Sequence, residues 1–195
     1  MQYQKEDVRK RIVDAAKTEF LRVGFVRTSM LAVSNRAHVP IGNLYRYFSS
    51  KAALFDAIVG TAKDKLIDSV QEICAYSGNY EGKGKNTILV IAEAVSSALT
   101  EFAKEYGKEL KILLEKSAGS EYADFTDKII VYVKELCKEK LYAGKEECND
   151  FLCELIANNI TRGIFRILIE CSPEEQRTQL VSLFIFYFNH LEDRL

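Results

Sequence analysis

Apolar residues recur along this chain at spacings of three and four, and no stretch sustains the period-two alternation of a half-buried strand, so the pattern predicts an all-α fold. The first stripe is Val8, Ile12, Ala15, Ala16, Phe20 and Val23, with Arg9, Lys10, Lys17 and Glu19 outside it. It predicts an amphipathic helix over residues 5–23, ended by Gly24 at a left-handed position that only glycine adopts freely. A short second helix follows from an N-cap at Thr28 or Ser29 to Ala37 and buries Met30, Val33 and Ala37. After a tight turn at His38-Val39, Pro40 opens a third short helix that runs to Phe48. Ser49 or Ser50 caps a fourth, over residues 51–76, which carries Leu54, Phe55, Ile58 and Val59.

Residues 77–86 hold three glycines and no apolar period, and read as a flexible connection. Further helices are expected over residues 87–106, 108–118, 122–142, 145–170 and 173–195, separated by Gly107, Gly119, Gly144 and the Ser172-Pro173 pair. The chain then divides into a helix-turn-helix domain over residues 1–50 and a helical domain over residues 51–195.

The last two helices depart from simple amphipathicity. Phe151, Leu155, Ile160 and Ile164 on one, with Leu180, Phe184, Tyr187, Phe188 and Leu191 on the other, leave almost no polar stripe. A helix apolar on all sides is buried on all sides. In a domain this small the second face is expected to meet a second copy of the chain, forming a two-fold, four-helix interface. The alternative is a central helix enclosed within one chain.

The second helix, turn and third helix occupy about twenty residues with a three- to four-residue connection, the dimensions of a DNA-binding helix-turn-helix. On the third helix Ile41, Leu44 and Phe48 are expected to face the core, so Gly42, Asn43 and Arg46 point outward. An arginine fork suits guanine O6 and N7, and an asparagine amide suits adenine N6 and N7. Tyr45 and Tyr47 lie on the flanks, where phenolic hydroxyls suit phosphate oxygens. Lys51 adds a cation to the same face, and the start of the second helix at Thr28 offers backbone N–H groups suited to phosphate. Partial burial of the two tyrosines in an ordinary small bundle is the competing explanation.

Taken together, Thr28-Ser29-Met30, Ala37-x-Val39 and Gly42-Asn43-Leu44-Tyr45-Arg46-Tyr47-Phe48-x-x-Lys51-x-x-Leu54, preceded by Gly24-Phe25, resemble the signature of TetR-family transcription regulators over residues 5–58. The resemblance implies that the third helix enters the major groove. It also implies a DNA-binding set of Thr28, Ser29, Ile41, Gly42, Asn43, Tyr45, Arg46, Tyr47 and Lys51, with Thr28, Tyr45, Tyr47 and Lys51 on phosphates. Two positions depart from the pattern: His38 stands where a glycine is usual, and Pro40 where a Ser or Thr cap is common. Beyond residue 58 the resemblance is architectural only.

Composition adds a polarity to this picture. The formal net charge is only -1, yet residues 1–60 carry ten Lys or Arg against five Asp or Glu, while the remainder carries 17 against 23. A basic module on an acidic body fits a double-stranded DNA partner. Catalysis finds no support: His38 and His190 are the only histidines, and no P-loop, dinucleotide fingerprint or His-Glu-x-x-His occurs. Cys74, Cys137, Cys148, Cys153 and Cys171 form an odd set without a Cys-x-x-Cys pair, which points to buried structural thiols in a reducing cytoplasm, with neither metal nor cofactor. The longest apolar run, residues 183–188, is far short of the roughly 20 residues that span a bilayer, so no membrane partner is expected. Phe102, Tyr106, Tyr122, Phe125, Tyr132 and Phe165 are candidates to line a pocket for an apolar or aromatic effector, and core packing accounts for them equally well. The expectation is a ligand-responsive homodimer, a repressor rather than an activator, on a pseudo-palindromic operator. A helical protein-interaction module that never touches DNA is the rival class.

Overall fold

The computed structural model describes residues 2–78, 85–141 and 149–188. The described residues form eight α-helices and no strand: α1 (Gln2–Arg27), α2 (Met30–Ala37), α3 (Ile41–Tyr47), α4 (Lys51–Gly78), α5 (Lys85–Glu115), α6 (Phe125–Leu141), α7 (Asp150–Glu170) and α8 (Pro173–Phe188). The all-α expectation therefore holds.

The chain is organised as two compact units, one of Met1–Lys65 with Lys108–Phe125, the other of Leu66–Gly107 with Thr126–Leu195. The first unit joins two separate stretches of the chain. The first half of α4 and the end of α5 both belong with the N-terminal helices, and Leu54, Phe55, Leu110 and Leu113 are buried there.

In the first unit Ile12, Ala16 and Phe20 of α1 are fully buried, as are Val33 of α2 and Leu44 of α3. Phe20, Phe25 and Phe55 form an aromatic centre, with Phe55 meeting Phe20 edge-on at 4.8 Å and Phe25 at 5.1 Å between ring centroids. The expected break at Gly24 is present, at φ 76° and ψ 173°, and the chain then resumes helical hydrogen bonding as far as Arg27. At the kink the Phe25 N–H leaves its own helix and donates to the Lys116 carbonyl at 2.8 Å.

Several helix boundaries differ from the sequence expectation. α5 runs unbroken through Gly107, since one glycine inside a helix lowers its stability by only about 1 kcal/mol and flanking apolar residues outweigh that. The break comes later, over residues 117–124, where Ser120 donates its hydroxyl to the Ser117 carbonyl at 2.7 Å and Gly119 takes φ 80°. A Cβ at Gly119 would stand 2.6 Å from Val26 Cγ2, so the turn requires glycine for space as well as conformation. α7 starts at Asp150 with Asn149 as its N-cap, accepting from the Leu152 N–H at 2.9 Å. The expected start at residue 145 lies outside the described residues.

The second unit is built on Val95, Leu99, Phe102, Ile129, Cys153, Ala157, Phe165, Leu168 and Leu180, all buried. Glu93 of α5 and Arg177 of α8 pair at 2.6 Å, and Lys134 of α6 bridges Asp150 and Glu154 of α7 at 2.7 and 3.1 Å. Among the described residues no helix is long and apolar enough to cross a membrane.

Candidate nucleic-acid interface

The turn between α2 and α3 is closed by side chains that the sequence pattern did not single out. Ser34 is buried, and its hydroxyl donates to the Val39 carbonyl at 2.6 Å while the Val39 N–H donates to the Ser34 carbonyl at 3.1 Å. Between them His38 takes φ 52° and ψ 43°, the left-handed geometry that a glycine would accept without strain. Pro40 caps α3 through its carbonyl alone, accepting from the N–H groups of Asn43 and Leu44 at 2.9 and 3.0 Å. The short α3 thus starts at Ile41, one turn after a double hydrogen bond between Ser34 and Val39.

Leu44 and Phe48 anchor α3 inward, and Arg9 of α1 stacks over the Phe48 ring at 5.3 Å. Ile41, expected in the core, is instead 37% exposed in the first turn of α3. The outward face carries exposed Tyr45 and Arg46 with half-buried Asn43 and Tyr47 beside them. Gly42 completes it: a Cβ there would meet nothing within 4 Å, so the backbone at this point is bare and a flat partner can approach it closely.

Behind this face the electrostatics are already balanced. Glu19 of α1 is 3% exposed and accepts from Arg22 at 2.7 Å and from Arg36 of α2 at 2.6 Å. The Arg22 hydrogen bond, reinforced by Arg36 and opposed by burial, holds the Glu19 carboxyl below its ordinary value. Arg22 and Arg36 are therefore held within the frame, whereas Arg46 extends from the exposed face of α3.

Two members of the expected DNA-contact set have hydrogen-bond partners within the chain. Thr28 is 3% exposed and its hydroxyl donates to the Gly24 carbonyl at 2.8 Å, so the group expected on phosphate is enclosed by the end of α1. Lys51 donates to the carbonyls of Phe25, Val26 and Thr28 at 2.7, 3.2 and 3.1 Å. Its Nζ also lies 4.4 Å from the Phe25 ring centroid. Ser29 is exposed and caps α2, accepting from the Ala32 N–H at 3.1 Å.

Residues 12–58, the span of this frame, match the model of the bacterial regulatory proteins of the tetR family. The helix-turn-helix segment is thus of the tetR type. Over 70 residues it is 39% identical to the HTH-type transcriptional repressor KstR of Mycolicibacterium smegmatis, which covers 36% of this chain and 34% of that protein. The chain thus matches about a third of the length of the curated relatives. Its fold is that of a TetR-like transcriptional regulator from Rhodococcus sp. RHA1, at a TM-score of 0.59 and 20% identity over 91% of this chain and 93% of that one. NalD of Pseudomonas aeruginosa, the secondary repressor of the MexAB-OprM multidrug efflux pump, is similar at a TM-score of 0.57 and 16% identity over 93% and 96%.

Outside the tetR helix-turn-helix, the structure divides the expected aromatic set. Phe102 and Tyr106 stack in the second unit at 5.3 Å, and Phe165 is buried in the same unit. Tyr122 and Phe125 belong to the first unit, where Tyr122 donates its hydroxyl to Asp56 of α4. Burial first, and Asp56 second, push the Tyr122 hydroxyl well above its ordinary value. Tyr132 is 38% exposed on α6. Tyr122 and Phe125 thus lie in the first unit, and Phe102, Tyr106, Tyr132 and Phe165 in the second.

The expected interface set also divides. Ile160 and Leu180 are 4% and 0% exposed and belong to the core of their own unit. Phe151 and Leu155 are 70% and 43% exposed, and Phe186, not in that set, is 70% exposed. Ile164, Phe184, Tyr187 and Phe188 are half-buried, and Leu191 lies outside the described residues.

Proposed function

We propose that this chain is a sequence-specific, DNA-binding transcription repressor of the cytoplasm that acts as a homodimer on a pseudo-palindromic operator and answers to a small effector. The observation that carries the reading is the outward face of α3. There Arg46 and Tyr45 are exposed beside the bare backbone of Gly42, while the neighbouring arginines are held by Glu19. An α-helix of this size fits the major groove, with Arg46 and Asn43 placed to read base edges and Tyr45, Tyr47 and Ser29 to hold the backbone on either side.

Homodimerisation is supported by the exposure of Phe151, Leu155 and Phe186 on α7 and α8, since large apolar groups at this exposure mark an association surface. A two-fold pair of α3 helices requires half-sites about one helical turn apart or a multiple of it. The effector reading draws support from the second unit, where Ser96 Oγ, Thr161 Oγ1 and Gln176 Oε1 are buried without a hydrogen-bond partner among the described residues. Such groups favour a polar ligand atom or water within an otherwise apolar interior. An effector acts by binding the DNA-competent and incompetent states unequally.

The test is fluorescence anisotropy of the protein against labelled duplexes tiled across its own upstream region, with random duplex as competitor and at two salt concentrations. One dimer per pseudo-palindrome, with affinity falling steeply as salt rises, is the expected result. Absence of binding to every duplex at low salt would overturn the reading in favour of a protein-interaction module.

A further inference from the structure

We propose that Arg9 of α1 is a further DNA-contact residue, whose guanidinium lies on the Phe48 ring and takes a backbone phosphate beside the end of α3. The proposal rests on the DNA-binding reading and adds to its contact set a residue of the first helix.

The arginines of the first unit divide by what they hold. Arg11 pairs with Asp7, Arg22 and Arg36 share the Glu19 carboxylate, and Arg27 donates to the Val23 carbonyl. Arg9 and Arg46 are exposed and have neither an acid nor a hydrogen-bond partner among the described residues. Glu6, one turn before Arg9 on α1, is exposed and makes no pair with it.

Arg9 nevertheless has a fixed seat, since its guanidinium carbon stands 5.3 Å from the centre of the Phe48 ring. That ring is a firm base: Phe48 is 5% exposed, caps α3 and donates its N–H to the Leu44 carbonyl at 3.1 Å. Arg9 is therefore held at the last residue of the helix proposed for the groove, where the chain turns through exposed Ser49 and Ser50 into α4.

A guanidinium stacked on a ring uses its face, and the N–H groups around its edge keep the planar fork that matches two phosphate oxygens. Stacking also restricts the long side chain before the partner arrives, so less freedom is lost when the contact forms. Phosphates line the rims of the major groove and base edges its floor, so a cation carried by α1, outside the entering helix, meets the backbone.

The competing role is a lid, in which Arg9 only covers Phe48 and steadies α3. Anisotropy titrations over a salt series, on operator and on random duplex, separate the two roles with Arg9→Met, Arg9→Gln and Arg9→Lys. Methionine still packs on the ring, and glutamine keeps an N–H donor without the charge, so one of them retains the fold if the other does not. As a phosphate ligand, Arg9 requires that both neutral variants weaken operator and random duplex alike. Their slope of log affinity against log salt should be shallower by about 0.9 for each Arg9 in the complex, and Arg9→Lys should keep the native slope. A native slope in Arg9→Met and Arg9→Gln would overturn the contact, whatever the change in affinity, and a loss confined to the operator would overturn the phosphate assignment. If the native protein binds no duplex, the DNA-binding reading fails and the contact with it, whereas native binding with unchanged slopes in the variants removes Arg9 alone.

Discussion

The Glu19 carboxylate of α1 and the Arg36 guanidinium of α2 meet at 2.6 Å, with the carboxylate almost fully enclosed and the arginine 43% exposed. This contact couples the long first helix to the helix that carries the turn. Because Arg22 holds the other carboxylate oxygen, the pair fixes both the rotation of α1 and the depth of α2. Glu19→Ala should destabilise the protein by about 1.5–3 kcal/mol, the range for hydrogen bonds to a charged group, read as a shift of the urea midpoint without change of slope.

A pH dependence follows from the same carboxylate. Its folded pKa lies below the ordinary 4.5, so its contribution is fully present above that value and is lost as pH falls through the depressed one. Native stability should therefore drop on acidification below pH about 4.5, and the Glu19→Gln protein should show a shallower drop over the same interval. Denaturation midpoints of the two proteins between pH 3 and pH 6 test this, and parallel curves would exclude Glu19 as the group responsible.

Arg46 and the residues beneath it separate reading from holding. Arg46→Ala should weaken binding to the operator by about 1–3 kcal/mol and relax preference at one base position, while affinity for random duplex falls much less. Tyr45→Phe, which removes only a phenolic hydroxyl, should weaken both kinds of duplex alike. Competition anisotropy with a panel of single-base operator variants distinguishes the two patterns.

His38 occupies a left-handed position that costs a residue with a Cβ roughly 1–2 kcal/mol. His38→Gly relieves that strain but gives the unfolded chain more freedom, about 0.4–1 kcal/mol in the other direction. The net expectation is a stabilisation of about 0.5–1 kcal/mol with the turn unchanged. Thermal unfolding measures it, and unaltered operator affinity would show that the angle of α3 depends on the Ser34–Val39 pair and not on the imidazole.

The apolar period made the helices of the N-terminal module legible, together with Gly24 as the break and Leu44 and Phe48 as the anchors of α3. Those features depend on local spacing and on single-residue conformational limits. The hydrogen-bond partners of Thr28 and Lys51 within the chain were not legible, because a polar side chain near a groove face looks the same in sequence whether or not it meets a carbonyl 23 residues away. Glu19 was equally hidden: its position outside the α1 stripe predicts a solvated acid, and only the approach of Arg36 encloses it. The end of α5 escaped for a further reason, since nothing local to residues 108–125 records that they pack with the N-terminal helices.

The exposed apolar groups of α7 and α8 make the last prediction. Phe151 and Phe186 are each 70% exposed in the single chain, while Leu180 of the same helical pair is fully enclosed, so the pair has one face already covered and one still open. Burying a phenylalanine side chain is worth about 1.5–3 kcal/mol, and two-fold symmetry places each one in the interface twice. Phe186→Glu should therefore shift the protein from dimer to monomer at micromolar concentration without unfolding it, because the carboxylate remains in water when the partner leaves. Light scattering reads the mass and circular dichroism the helix content. A monomer that retains full helix content should also lose most of its operator affinity, since each recognition helix then binds a half-site alone. A variant that stays dimeric would place the interface on other residues and leave the α7–α8 face without that role.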